Sequence, residues 1–192
     1  MKYTPLICLL WVWVACQPGQ PSADTHTVAA PAVPLITDTG LPYAHIGLEI
    51  ASVWPEGYQD EQVQDTVTTA GGYEWVSRTL IHDTGKVVLE GTPVSAGGLT
   101  DSMMNLSRIN RIQISSPRYR TRLGLHVGST VADIRQAIPD TALIVTPIPA
   151  YDMIEIWSPG THIYYLVPAQ GQTPQGLDAL PPETPVSLIV VM

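Results

Sequence analysis

Eighteen prolines and fifteen glycines punctuate this chain, and that spacing constrains its fold more than any other feature. Proline removes a backbone donor and fixes φ, and glycine supplies tight turns, so short strands and loops are favoured over long helices. There is no phenylalanine, so Tyr, Trp, Val, Ile and Leu must fill the core. The expected fold class is α+β: a mostly antiparallel sheet of about seven or eight strands, with one or two short helices packed on it.

HIGLEIASVW (His45–Trp54) alternates Ile46, Leu48 and Ile50 with Gly47, Glu49 and Ala51, the period of a half-buried strand. DEQVQDTVTTA (Asp60–Ala70) has Val63 and Val67 four apart and acids at its start, which predicts a helix. Tyr73–Gly91 reads as a hairpin about Asp83-Thr84-Gly85-Lys86, with Tyr73, Trp75 and Leu80 facing Val87 and Leu89. Thr92–Asn105 reads as a loop. RINRIQIS (Arg108–Ser115) is a strand with Ile112 and Ile114 on one face; Ile109 is out of phase, which calls for a bulge or an edge position.

After Gly128, Thr130 suits an N-cap and Asp133 takes the capping-box position three residues on. Val131, Ile134, Ala137 and Ile138 form one stripe of a two-turn helix that Pro139 ends. Three short strands follow in Thr141–Pro149, Asp152–Gly160 and Thr161–Pro168, with a turn at Ser158-Pro159-Gly160. Ala169–Pro185 is a long loop. The nearly continuous apolar run Val186–Met192 predicts a strand inside the sheet.

The N-terminus reads as an address. One basic residue, Lys2, precedes an apolar core from about Leu6 to Val14, too short to span a bilayer, and then Ala15-Cys16. A cysteine in this place resembles the bacterial lipobox, although Trp13 stands where leucine is usual. The resemblance implies acylation of Cys16, with membrane lipid as its partner. Gln17, rather than aspartate, follows the cysteine and implies outer-membrane sorting with the domain facing the periplasm. Several acyl chains, at about 0.8 kcal/mol per buried CH₂, anchor a protein stably. The expected organisation is a signal peptide over 1–15, a Pro/Ala/Thr-rich tether over 16–40 and a single α+β domain over 41–192.

Both cysteines precede residue 17, so the body has neither an internal disulfide nor a thiolate metal site. A net charge of −8 excludes non-specific nucleic-acid binding. Against that acidity, five of the nine basic residues, Arg108, Arg111, Arg118, Arg120 and Arg122, fall close together. They either pair with neighbouring acids and keep an edge soluble, or form a face for an anionic or protein partner in the envelope. The five histidines are scattered without metal-ligand spacing, and no metal or cofactor is expected. His126, Ser129 and Asp133 suggest a triad, but the helix start uses Ser129 and Asp133 better. Gly128, Ser129, Thr130 and Asp133 are therefore read as a structural motif. No catalytic residue stands out.

Ile109, Ile112, Thr121, Gly124, Leu125, Val127, Gly128, Ser129 and Asp133, with the later Ile163-Tyr164-Tyr165 and Pro174-Gln175-Gly176-Leu177, carry a family likeness. The segment resembles the core of the RpoE-regulated lipoprotein family, proteobacterial envelope lipoproteins with a domain of unknown function. Gly128–Ile134 is also similar to the helix start of small outer-membrane-assembly lipoproteins. The first resemblance implies an outer-membrane lipoprotein connected with envelope homeostasis, and supplies no catalytic residues. The expected function is a non-catalytic, lipid-anchored envelope protein that works by binding. The alternatives are an accessory of outer-membrane assembly, or an envelope hydrolase whose site is assembled from distant residues.

Overall fold

The computed structural model describes residues 33–53, 62–70, 73–82, 84–91, 94–95, 107–171 and 176–192. The expected signal peptide, Cys16 and most of the expected tether lie outside these residues, as does most of the Thr92–Asn105 segment. The compact unit spans Val33–Met192.

Thirteen strands are described: β1 (Leu35–Ile36), β2 (Gly40–Leu41), β3 (Ala44–His45), β4 (Gln62–Ala70), β5 (Tyr73–His82), β6 (Gly85–Gly91), β7 (Val94–Ser95), β8 (Ile109–Ile114), β9 (Arg120–Thr121), β10 (Ile144–Ile148), β11 (Met153–Trp157), β12 (Ile163–Pro168) and β13 (Leu188–Val191). The main sheet has the order β10-β11-β12-β13-β8-β6-β5-β4, with β7 also paired to β5. All its pairings are antiparallel. One α-helix, α1 (Val131–Ala137), is described. The protein is α+β and mostly sheet.

The longer strands, such as β6, β8, β11 and β12, form because they present β-branched or aromatic side chains at alternating positions. Register aligns them across the sheet: Leu80 faces Val87, Val87 faces Ile114, Ile114 faces Ile189, and Ile189 faces Tyr165. A second row runs from Leu89 through Ile112 and Val191 to Ile163. Ile36, Leu41, Ala44, Ile50, Tyr119, Val131, Ile134, Leu177 and Val186 cover this face and complete one core. β13 lies between β12 and β8, so Val190 and Val191 are both buried, which accounts for the unbroken apolar run. Proline takes positions that cost little pairing: Pro147 lies in the edge strand β10, and Pro168 ends β12. The register shift expected near Ile109 occurs between Glu90 and Gly91 on β6, and Ile109 is buried.

Three expectations are corrected. Of the helix expected over Asp60–Ala70, the described residues Gln62–Ala70 form strand β4 instead. Val63 and Val67, four apart, fit one helix face, but they also share a strand face, and Thr66, Thr68 and Thr69 favour the strand. His45–Trp54 is not a continuous strand. Gly47 adopts φ +88° and the chain turns through a 3₁₀ helix at Ile50–Ser52. Its backbone still pairs irregularly with the start of β8, through Gly47 N–H to Ile109 O, Ile109 N–H to Leu48 O, and Ile50 N–H to Ser107 O. The folded unit also begins before the expected boundary at residue 40. Leu35–Ile36 pairs in parallel with Arg120–Thr121, and Ile36 is fully buried. The hairpin partners Tyr73 and Trp75 lie outside the described side chains, while Leu80 faces Val87.

α1 starts as a capping box. Asp133 N–H donates to Thr130 Oγ1 at 3.2 Å, and Thr130 N–H donates to Asp133 Oδ2 at 2.7 Å. These bonds from Thr130 hold the Asp133 carboxyl below the usual aspartate range, with a smaller contribution from His126. The remaining first-turn donors are also used, Val131 N–H by Thr184 O and Ala132 N–H by Pro182 O. Replacing Thr130 by alanine is expected to cost about 1 kcal/mol of stability, read from the shift in the urea midpoint. The Asp133 contribution is fully present above the ordinary aspartate pKa and fades as pH falls through its lowered value. The Thr130→Ala deficit should therefore shrink in acid.

Candidate functional site

The five arginines divide by position along β8 and the loop after it. Arg108 donates to Gly47 O at 2.9 Å and lies 3.6 Å from Glu49. Arg111, on the outer face of the sheet, lies 3.6 Å from Glu90, whose other oxygen accepts from Gln113 at 2.7 Å. Glu155 is close enough to feel Arg111, but burial dominates and raises its pKa. These two arginines serve local ion pairs. Arg118, Arg120 and Arg122 are exposed on the single loop that carries β9.

That loop is fixed at several points. Tyr119 is fully buried and its hydroxyl lies 2.7 Å from that of Tyr43. Thr121 N–H donates to Leu125 O, and Arg120 N–H to Pro34 O. Alternation along β9 and its flanks puts Tyr119 and Thr121 inward and Arg118, Arg120 and Arg122 outward. The inward residues hold the outward guanidinium groups on a stiff support.

His126 Nδ1 lies 3.1 Å from Arg120 Nη1 and 2.9 Å from Ser129 Oγ. Arginine only donates, so Nδ1 serves as an acceptor. Ser129 is 5 % exposed and its oxygen also accepts from the His126 backbone N–H at 3.1 Å. Asp133 is spent on the cap. These three side chains do not form a nucleophile–base–acid chain. His45 and His162 are exposed elsewhere, and the side chains of His26 and His82 lie outside the described ones. Among the described residues no group of three or more His, Cys, Asp or Glu side chains could hold a metal ion.

Beside Arg122 the structure has a cleft of about 200 Å³ that joins β1, β9, β12 and the end of α1. Ile36, Leu123, Ile138 and Ile163 provide apolar walls. Asp38, Thr121, Arg122 and Tyr165 supply the polar groups. Thr121 is 3 % exposed, and its Oγ1 makes no hydrogen bond of normal geometry. Burial raises the Tyr165 pKa; the neighbouring Thr121 hydroxyl partly offsets this, and the Asp38 carboxylate adds to it. The Tyr165 phenol therefore remains a protonated donor at neutral pH.

Nothing in the sequence marked this cleft. Its residues are separated by up to 129 positions, from Ile36 to Tyr165, and none belongs to a catalytic motif. The buried Arg78 carries no sequence signal either. It donates to both oxygens of Asp65, at 2.8 and 2.9 Å, and to Ile50 O and Val53 O, at 3.2 and 2.9 Å. Its task is to hold the 3₁₀ turn against the sheet.

No family model and no curated protein sequence matches this chain. Among solved structures, the fold is similar to that of the uncharacterized protein YfeY from Escherichia coli, with a TM-score of 0.57 and 16 % sequence identity over 81 % of this chain and 97 % of that one. At that identity the likeness is one of fold, and the protein shares its α+β architecture with an uncharacterized bacterial protein.

Proposed function

We propose that this is a non-catalytic binding protein of the bacterial envelope, anchored in the outer membrane through an acylated Cys16, with its domain in the periplasm. Its loop at Arg118, Arg120 and Arg122 meets an anionic partner. The supporting observation is the display of three exposed arginines on one side of a loop whose inward residues, Tyr119 and Thr121, are buried. Guanidinium forks suit carboxylate or phosphate groups. In this reading the acylated cysteine provides the anchor; no helix of the described residues is long and apolar enough to cross a membrane.

One experiment tests both parts. The wild-type lipoprotein is crosslinked in intact envelopes beside Cys16→Ser and an Arg118→Glu, Arg120→Glu, Arg122→Glu triple variant. Cys16→Ser should leave the membrane fraction, and the triple variant should stay there but lose its crosslinked adduct. Membrane retention of Cys16→Ser refutes the lipid anchor. An adduct of unchanged yield from a folded triple variant refutes the arginine loop.

A further inference from the structure

We infer that the cleft between β1, β9 and β12 is a binding site for a small, net-neutral amphiphile, with an apolar body of about six carbons and one hydroxyl-type head that bonds to Thr121. The cleft shares Arg122 with the arginine loop but lies apart from Arg118 and Arg120, and its ligand is distinct from the partner proposed for that loop. Four observations carry the inference.

First, Thr121 Oγ1 is buried with no hydrogen bond of normal geometry, although the Tyr165 phenol is close enough to feel it. A buried hydroxyl with no partner costs about 1–3 kcal/mol, and folded proteins retain few such groups. Because Thr121 lines the cleft, a ligand oxygen there can satisfy it. Second, Tyr165 lines the same cleft and its burial keeps the phenol protonated. The site thus offers a phenol donor beside a hydroxyl that can donate or accept, a pair suited to one alcohol oxygen.

Third, the rest of the wall is aliphatic: Ile36, Leu123, Ile138 and Ile163. The cleft's ≈ 200 Å³ is roughly seven waters' share of liquid volume at about 30 Å³ each, which matches an aliphatic body of about six carbons rather than a drug-sized ligand. Fourth, charges of both signs line it. Asp38 and Arg122 contribute a carboxylate and a guanidinium, and no ion pair joins them to each other. An anion would gain from Arg122 and lose to Asp38, and a cation the reverse, so neither charge recovers its desolvation cost and a neutral ligand is favoured.

The test uses the full chain in nanodiscs, with isoleucine methyl groups labelled for NMR. The probes are 1-hexanol, hexanoate and hexylammonium. 1-Hexanol should shift the methyl signals of Ile36, Ile138 and Ile163 saturably, and should bind more tightly than either charged analogue. Thr121→Val preserves shape and removes only the hydroxyl; it should weaken 1-hexanol about tenfold. Leu123→Ser, at a 55 % exposed position where folding is not at stake, should also weaken it by removing one apolar wall. An Arg118→Glu, Arg120→Glu variant should leave 1-hexanol affinity unchanged, which separates this site from the arginine loop. Any of three results overturns the inference: no saturable shifts with 1-hexanol, tighter binding of a charged analogue, or equal binding by Thr121→Val.

Discussion

Arg78→Ala should destabilise the domain by about 3 kcal/mol, seen as a lower urea midpoint with little change in slope. Arg78 is 6 % exposed and stands in the core-facing row of β5, between Val76 and Leu80. A guanidinium there is tolerable only because its donors are used. Nε and Nη2 grip the Asp65 carboxylate, directly opposite on β4, while Nη1 donates to the Ile50 and Val53 carbonyls. Removing the side chain strands those acceptors and opens space beneath the 3₁₀ turn. The Asp65 side chain is 40 % exposed, so water can recover much of its share, which keeps the estimate at the lower end for a broken buried pair. Asp65→Asn should cost less, about 1 kcal/mol, because the carbonyl contacts survive. If the two variants cost the same, the salt bridge rather than the turn anchor dominates.

The same pair explains why part of the fold could not be seen in the sequence. A strand is recognised by apolar alternation, and Asp65 interrupts it between Val63 and Val67, just as Arg78 interrupts it between Val76 and Leu80. The two polar residues satisfy each other only after β4 and β5 pair, and that pairing is not encoded in either segment alone. The helix at Thr130 is the opposite case. Its cap, its acid and its apolar stripe all lie within nine residues, so local chemistry determines it. β8, β11, β12 and β13 were legible for the same reason, because each alternates or runs apolar over its own length. The cleft was illegible because Thr121, Tyr165 and Ile36 become neighbours only through the parallel β1–β9 pairing. The arginine count was visible, but its division was not: Glu49 and Glu90, which engage Arg108 and Arg111, come from elsewhere in the chain.

Gly40→Ala should cost about 3 kcal/mol or more. Composition alone places Gly40 at the end of a tether, where such a change would do nothing. In the structure it belongs to β2, paired with His45, and adopts φ +133°. A Cβ on it would lie 2.4 Å from Ala44 O and 2.8 Å from Ile112 Cδ1. The first contact is with backbone that the β2–β3 pairing fixes, and the second is with a fully buried core side chain. Neither neighbour can yield cheaply in a close-packed interior. Gly47→Ala provides the comparison. Its φ is +88°, but nothing lies within 4 Å of the added atom, so only the backbone penalty of about 1–2 kcal/mol applies. Adding Ile112→Val to Gly40→Ala removes the Cδ1 contact but leaves the carbonyl clash, and should restore only part of the loss. Thermal or urea unfolding of these three variants and of Ile112→Val alone separates dihedral cost from steric cost. Equal losses at Gly40 and Gly47 would mean that the close contacts at Gly40 relax without cost and that only the dihedral penalty counts.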